Sequence, residues 1–122
     1  MSERAYDLSE RLLLFATDVI KLTEKLRTSY TEIHIGKQLL RSSTSCGANY
    51  EEACGAESSA DFIHKLQIVL KEMKESRYWL RLLQTAKIAD IKKIEILFNE
   101  SDELIRIIAK SISTAKKRKL GI

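Results

Sequence analysis

Between residues 62 and 83 the apolar positions never lose step. Phe62, Leu66, Val69, Met73, Ser76, Leu80 and Leu83 recur at alternating intervals of four and three. That spacing returns to one face of an α-helix at every turn, whereas a strand would scatter it over both faces. Ile63, Leu70 and Trp79 add apolar surface beside the seam. A helix of about 25 residues spans roughly 40 Å, and a stripe that long must be covered by other helices. The remaining sequence supplies them. The chain has 122 residues and no proline, and proline is the residue that most strongly interrupts a helix interior.

Three further helices read out in order. In the first, Leu8, Leu12, Phe15, Val19, Leu22 and Leu26 make the stripe, and Ala16 and Ile20 widen it. Asp7 and Glu10 have capping-box spacing, which places the start near Asp7. Thr28, Ser29, Tyr30 and Thr31 form a polar break, so the second helix is expected to begin between Thr31 and Ile35. It runs toward Ala53, with Ile35, Leu39, Cys46, Tyr50 and Ala53 on one face and Gly55 as the stop. Its middle, residues 42–47, is weak on helix propensity. A continuous helix is nevertheless expected there, its small side chains letting a neighbour approach closely. Ser58 and Asp61 repeat the capping spacing and open the third helix, whose register fails at residues 86–90 in a short hairpin. From Asp90 a fourth helix carries Ile91, Ile94, Phe98, Ser101, Ile105, Ile108 and Ile112 in one row, with Leu97, Leu104 and Ala115 beside it. The expected fold is all-α: one domain, 1–122, forming an antiparallel up-down-up-down four-helix bundle with helices roughly at 7–27, 32–54, 59–87 and 90–118.

Chemistry inside such bundles usually means metal, and di-iron sites pair Glu-x-x-His motifs on two helices. Here there are two histidines. His64 has Asp61 three residues before it, but Asp61 is explained by the helix start, and His34 has no such partner. Cys46, Cys54 and His64 lack the spacing and the fourth ligand of a zinc site. On one helix the two cysteines would lie roughly 12 Å apart, beyond the reach of about 7 Å that a disulfide tolerates. Two buried free thiols are expected. Ser42, Ser43 and Ser45 have no positioned base, and Gly47 and Gly55 are isolated rather than part of a phosphate loop. The expectation is a protein with no catalytic residues, no metal, no cofactor and no small-molecule substrate. Charges interrupt every apolar run, which excludes a bilayer-spanning helix. Residues 1–6 carry charge where a signal peptide needs an apolar core, and a cytoplasmic location is expected.

Charge and aromatic placement point instead to binding. The formal net charge is +4, yet Arg106, Lys110, Lys116, Lys117, Arg118 and Lys119 follow Glu103 with no acid among them. A basic end on a slightly acidic body suits an anionic partner, although cations at a helix C-terminus also oppose the macrodipole. Lys74, Arg77, Tyr78 and Arg81 share one face of the third helix, beside Trp79. Cations there can neutralise phosphates and exposed rings can stack on unpaired bases. Packing of Tyr78 and Trp79 at a bundle or subunit interface, under Arg stems, is the favoured alternative. Glu51, Glu52, Glu57 and Asp61 cluster near Asn49 and Tyr50, either as an acidic docking site or as a solvated helix end.

The segments Ile35-Gly36-Lys37-Gln38-Leu39-Leu40-Arg41, Thr44-Ser45-Cys46-Gly47-Ala48-Asn49-Tyr50-Glu51-Glu52-Ala53, Phe62-Ile63-His64-Lys65-Leu66-Gln67-Ile68-Val69-Leu70-Lys71-Glu72 and Arg77-Tyr78-Trp79-Leu80 resemble a bacterial four-helix-bundle family, the 23S ribosomal RNA intervening-sequence proteins. The resemblance covers residues 6–115. It implies a four-helix bundle, a helix rather than a loop over residues 42–53, and a homo-oligomer in the form of a pentameric ring. The similar accessory proteins of diversity-generating retroelements imply a positively charged nucleic-acid-binding surface. No catalytic residues come with the family. Arg77, Arg81, Lys116, Lys117, Arg118 and Lys119 are the expected contacts to RNA or other nucleic acid. Asn49, Tyr50, Glu51, Glu52, Tyr78 and Trp79 are the expected subunit contacts, and in the alternative they make the chain a protein-interaction scaffold.

Overall fold

Three hydroxyl or carboxylate caps fix where the helices begin. Ser29 accepts the Glu32 amide at 3.1 Å, and Ser58 accepts the Asp61 amide at 3.1 Å. The Asp90 carboxylate takes the amides of Lys92 and Lys93 at 3.0 and 3.3 Å. Each satisfies backbone donors that a helix start leaves orphaned. The resulting elements are α1 (Glu3–Thr23), α2 (Tyr30–Cys54), α3 (Ser59–Thr85) and α4 (Ile91–Lys119). The structure, a computed structural model, describes residues 3–121, with side chains from Asp7 onward. Met1, Ser2 and Ile122, included in the expected domain span, lie outside the described residues.

The chain forms an up-down four-helix bundle. α1 packs on α2, α2 on α3 and α3 on α4, while α4 meets α1 along the thinnest seam. Arg11 fastens that seam. Its guanidinium donates to both carboxylate oxygens of Glu100, at 3.1 and 2.7 Å, and lies 3.3 Å from Glu103. The hydrogen bond to Glu100 raises the Arg11 pKa further above its ordinary value.

The inward stripes are those the spacing anticipates, with instructive exceptions. Leu12, Phe15, Val19, Leu39, Leu66, Val69, Met73, Leu80, Leu83, Ile94, Leu104 and Ile108 form the most enclosed layer. Phe62 is only half-buried, and Ile63 takes its place at the start of α3. Ile91 is 53% exposed because the first residue of α4 stands at the very end of the bundle. α1 begins at Glu3, ahead of the expected start: Glu-Arg-Ala is good helix-forming sequence, so Asp7 lies within the helix and caps nothing. The second helix likewise opens earlier than expected, because Ser29 caps it inside the supposed polar break by accepting the Glu32 amide. α1 closes at Thr23, short of Leu26. The turn that follows, with Leu26 N–H bonded to the Thr23 carbonyl, folds Leu26 back into the core at 2% exposure. The apolar stripe thus outlasts the helix that carries it.

Residues 42–47 are helical, and burial explains why weak propensity does not matter there. Ser42, Ser43 and Cys46 are fully buried against α3 or the core. The hydroxyls of Ser42 and Ser76 lie 2.8 Å apart across the α2–α3 seam, and each also reaches a carbonyl one turn back, on Leu39 and Glu72. Cys46 donates its thiol to the Ser42 carbonyl at 3.3 Å and lies 3.8 Å from the Val69 carbonyl on α3. Small polar side chains therefore hold α2 and α3 together with their hydrogen bonds made, as burial demands. Gly47 does not share this role. A Cβ there would meet Leu12 at 3.9 Å, an ordinary contact, so no close approach depends on it.

α3 ends in a Schellman turn. Lys87 N–H bonds the Gln84 carbonyl, Ile88 N–H bonds the Leu83 carbonyl, and Ile88 rests on the core. Lys87 stands at φ 57°, in the left-handed region that glycine normally fills, and Ala89 follows at φ 70°. Replacing Lys87 with Gly should relieve that strain and stabilise the fold by up to about 1 kcal/mol. Chemical denaturation of K87G compared with K87A checks this, with glycine the more stable of the two.

Only one of the two thiols is buried: Cys46 is, whereas Cys54 is exposed in the last turn of α2. Burial pushes the Cys46 thiol up to about 12, from an ordinary value near 9. Above pH 9 the unfolded chain therefore releases a proton that the folded chain keeps. Cys46 lends its full stabilisation below that value and loses it as pH rises toward 12. The urea midpoint should fall across this window in the native chain and fall less in Cys46→Ala. At pH 8 a thiol reagent should label Cys54 alone until urea is added.

Candidate nucleic-acid interface

Beyond its apolar seam, α3 sorts its charges by face. Glu72 and Glu75 turn toward α2, where Arg41 bonds Glu72 at 3.2 Å and also bonds Glu75. Glu75 additionally accepts the indole N–H of Trp79 at 3.1 Å. The Arg41 pKa is raised, chiefly by its hydrogen bond to Glu75. On the outer face a second row runs the length of the helix: His64, Gln67, Lys71, Lys74, Tyr78 and Arg81, again at intervals of three and four. All six are exposed and none is acidic. Lys71, Lys74 and Arg81 make no ion pair with any described residue.

The row borders a groove between α3 and α4. At one end Lys74, Arg77, Tyr78 and Arg81 line an open depression of about 390 Å³ with Phe98 of α4. At the other, Ala60, Ile63, His64 and Gln67 face Lys116, Lys119 and Leu120. From His64 to Arg81 the row measures roughly 25 Å at the helical rise. Tyr78, 58% exposed, presents its ring to solvent among these cations.

The six expected nucleic-acid contacts therefore do not form one cluster. Arg81 is free and exposed on the row. Arg77 is held by Asp102 at 2.7 Å, an acid that also takes Arg106 at 3.0 Å, so its charge is largely answered within the chain. Lys116, Lys117, Arg118 and Lys119 occupy the last turn of α4, at the far end of the groove. Lys71 and His64 belong to the same row and are absent from the sequence-derived set. The signal that finds them is the alternation of three and four applied to polar residues as well as apolar ones.

The expected subunit contacts are also dispersed. Tyr50 is 5% exposed and belongs to the chain's own core, where burial and a hydrogen bond with Cys54 raise its pKa. Asn49 is half-buried and bonds the Ser45 carbonyl at 2.9 Å. Glu51 bonds Ser9, and Glu52 reaches Lys65 at 3.4 Å, so both are engaged within the chain. Trp79 packs half-buried against the core near the opposite end of the bundle, with Tyr78 beside it. Large exposed apolar side chains also lie elsewhere: Leu13, Leu14 and Ile20 on α1, Ile33 on α2, Ile91 and Ile96 on α4, and Leu120 just after it. Leu14 and Ile96 line a shared groove with Asp18, Glu100 and Glu103.

Among the described residues no group of three or more His, Cys, Asp or Glu is placed to hold a metal ion, and no helix is long and apolar enough to cross a membrane.

Residues 4–110 match the family described as 23S rRNA-intervening sequence protein. The chain is similar in structure to a protein of unknown function from the S23 ribosomal protein family of Bacteroides thetaiotaomicron. The TM-score is 0.83 at 38% identity, over 89% of this chain and 97% of that one. No curated protein matches the chain.

Proposed function

The chain belongs to the 23S rRNA-intervening sequence protein family, and from that premise we propose that it is a noncatalytic protein that binds RNA along the outer row of α3. The observation that carries this reading is the sorting of charge on one helix. The acids are spent on Arg41 of α2, and Lys71, Lys74 and Arg81 face solvent unanswered. A row of free cations on a rigid rod suits a regularly charged polyanion. The row lies within the segment matched to the family, whereas Lys116 to Lys119 lie beyond it. The tail then contributes a second, general attraction at the far end of the groove.

We further propose that the chain assembles with copies of itself, in the five-membered ring that the family resemblance implies. Leu13, Leu14, Ile20 and Ile96 support this reading. Leu14 and Ile96 line one groove between α1 and α4, Leu13 and Ile20 are exposed on α1 as well, and neither helix carries the outer row of α3. Assembly through that surface leaves every basic row open and repeats it around the ring, so that weak contacts add through multivalency.

Binding to a structured ribosomal RNA fragment, a scrambled RNA and a duplex DNA should be measured across a salt series. Replacing Lys71, Lys74 and Arg81 with Gln should flatten the log–log salt slope by about 2, at the contribution expected per single-strand phosphate. An unchanged slope overturns the assignment to α3. Equal, weak binding to all three nucleic acids favours the protein scaffold instead.

Size-exclusion chromatography with light scattering tests the assembly. The native chain should elute as an oligomer, and Leu14→Glu combined with Ile96→Glu should yield monomers with unchanged helicity. A native monomer rejects it.

A further inference from the structure

At the loop end of the α2–α3 face four aromatic rings form a continuous row. Tyr30 and His34 of α2 lie with centroids 6.2 Å apart and planes inclined by 15°. His34 meets Trp79 edge-on at 6.5 Å, and Trp79 meets Tyr78 edge-on at 5.2 Å. The fold does not need the outer members. Tyr30 is 84% exposed and Tyr78 58% exposed, and His34 is exposed as well. Trp79 anchors the row from below: it packs against the core and its indole N–H is fixed on Glu75. Tyr78 belongs both to this row and to the groove with Lys74 and Arg81.

We propose that this row is a stacking platform for unpaired bases, so that the RNA held by α3 is single-stranded where it crosses the loop end of the bundle. The inference rests on the reading of α3 as an RNA-binding surface and narrows it to one kind of RNA. Its chemistry follows from what the rings are and what surrounds them. A base offers a π-face to an aromatic side chain only when it has left the helix stack, and backbone phosphates are then met by neighbouring cations. A duplex keeps its base faces inside and would touch the rings only with its sugar-phosphate edge. A protein partner is the poorer fit at this edge, because lysine is depleted at protein interfaces, whereas Tyr78 shares its depression with Lys74, which makes no ion pair with any described residue.

Trp79 is the only tryptophan in the chain, so its fluorescence reports on the platform directly. The full-length protein should be titrated at low salt with three probes of equal length: a single-stranded octaribonucleotide, its duplex, and an abasic octamer carrying the same phosphates. The expected result is quenching of Trp79 by the single strand, with affinity at least tenfold above that for the abasic probe. Tyr78→Leu and Tyr30→Leu, at exposed positions that leave the core intact, should each weaken the single strand by about tenfold and leave abasic binding unchanged. Equal affinity for the single-stranded and abasic probes, or a preference for the duplex, overturns the platform while the basic row of α3 stands. Failure to bind any of the three overturns both readings.

Discussion

The rotational setting of α3 about its own axis governs this molecule. Three different interactions demand the same setting. The apolar seam from Leu66 to Leu83 must face inward. The hydroxyl of Ser76 must meet that of Ser42 across a dry contact with α2. Glu72 and Glu75 must reach Arg41. A twist of one residue, about 100°, would expose the seam, strand a buried hydroxyl and separate the ion pairs together. The partly exposed ion pairs add little stability of their own; their effect is to keep acids off the face that looks outward. Everything the outer row can do depends on that agreement.

Much of the bundle was legible because burial obeys periodicity. The third helix could be read nearly residue by residue, and residues 42–47 could be recognised as helical despite weak propensity. Tertiary burial against α3 overrides a preference that is worth well under 1 kcal/mol per residue for most types. What could not be read were the places where backbone geometry departs from residue habit. Lys87 occupies a position that sequence would mark with glycine, so the Schellman turn carries no sequence signature. Leu26 kept the stripe's rhythm after the helix had ended, because a turn can restore an apolar side chain to the core as well as another helical turn can.

The candidate site was legible in its parts and not in its arrangement. Arg81 and Tyr78 were evident from their composition. Lys71 was hidden because the stretch around it reads as core, and only the outward face of the same helix reveals it. Arg77 looked free until Asp102, far along the chain, proved to be its neighbour. Tyr50 fell both on the apolar face of the second helix and among the expected subunit contacts, and the structure keeps only the first of these. Its ring turns inward, as the position seven residues after Ser43 and four after Cys46 requires of a helix whose small residues are buried. Cys54 completes the next turn and emerges exposed at the last residue of α2.

α3 contains neither glycine nor proline over its 27 residues. A helix so built bends little on its own account, so the separations along its outer row are set by the rise of the helix, roughly 4.5 Å from Lys71 to Lys74 and roughly 10.5 Å from there to Arg81. Such a surface behaves as a ruler. It does not close around what it meets, and under the proposed function a flexible strand would adjust its own phosphate spacing to the marks. Were the proposed RNA to bind there, the entropy of fitting would fall on the nucleic acid rather than on the protein, and a stiff or wrongly spaced polyanion would be disfavoured without any clash being built against it.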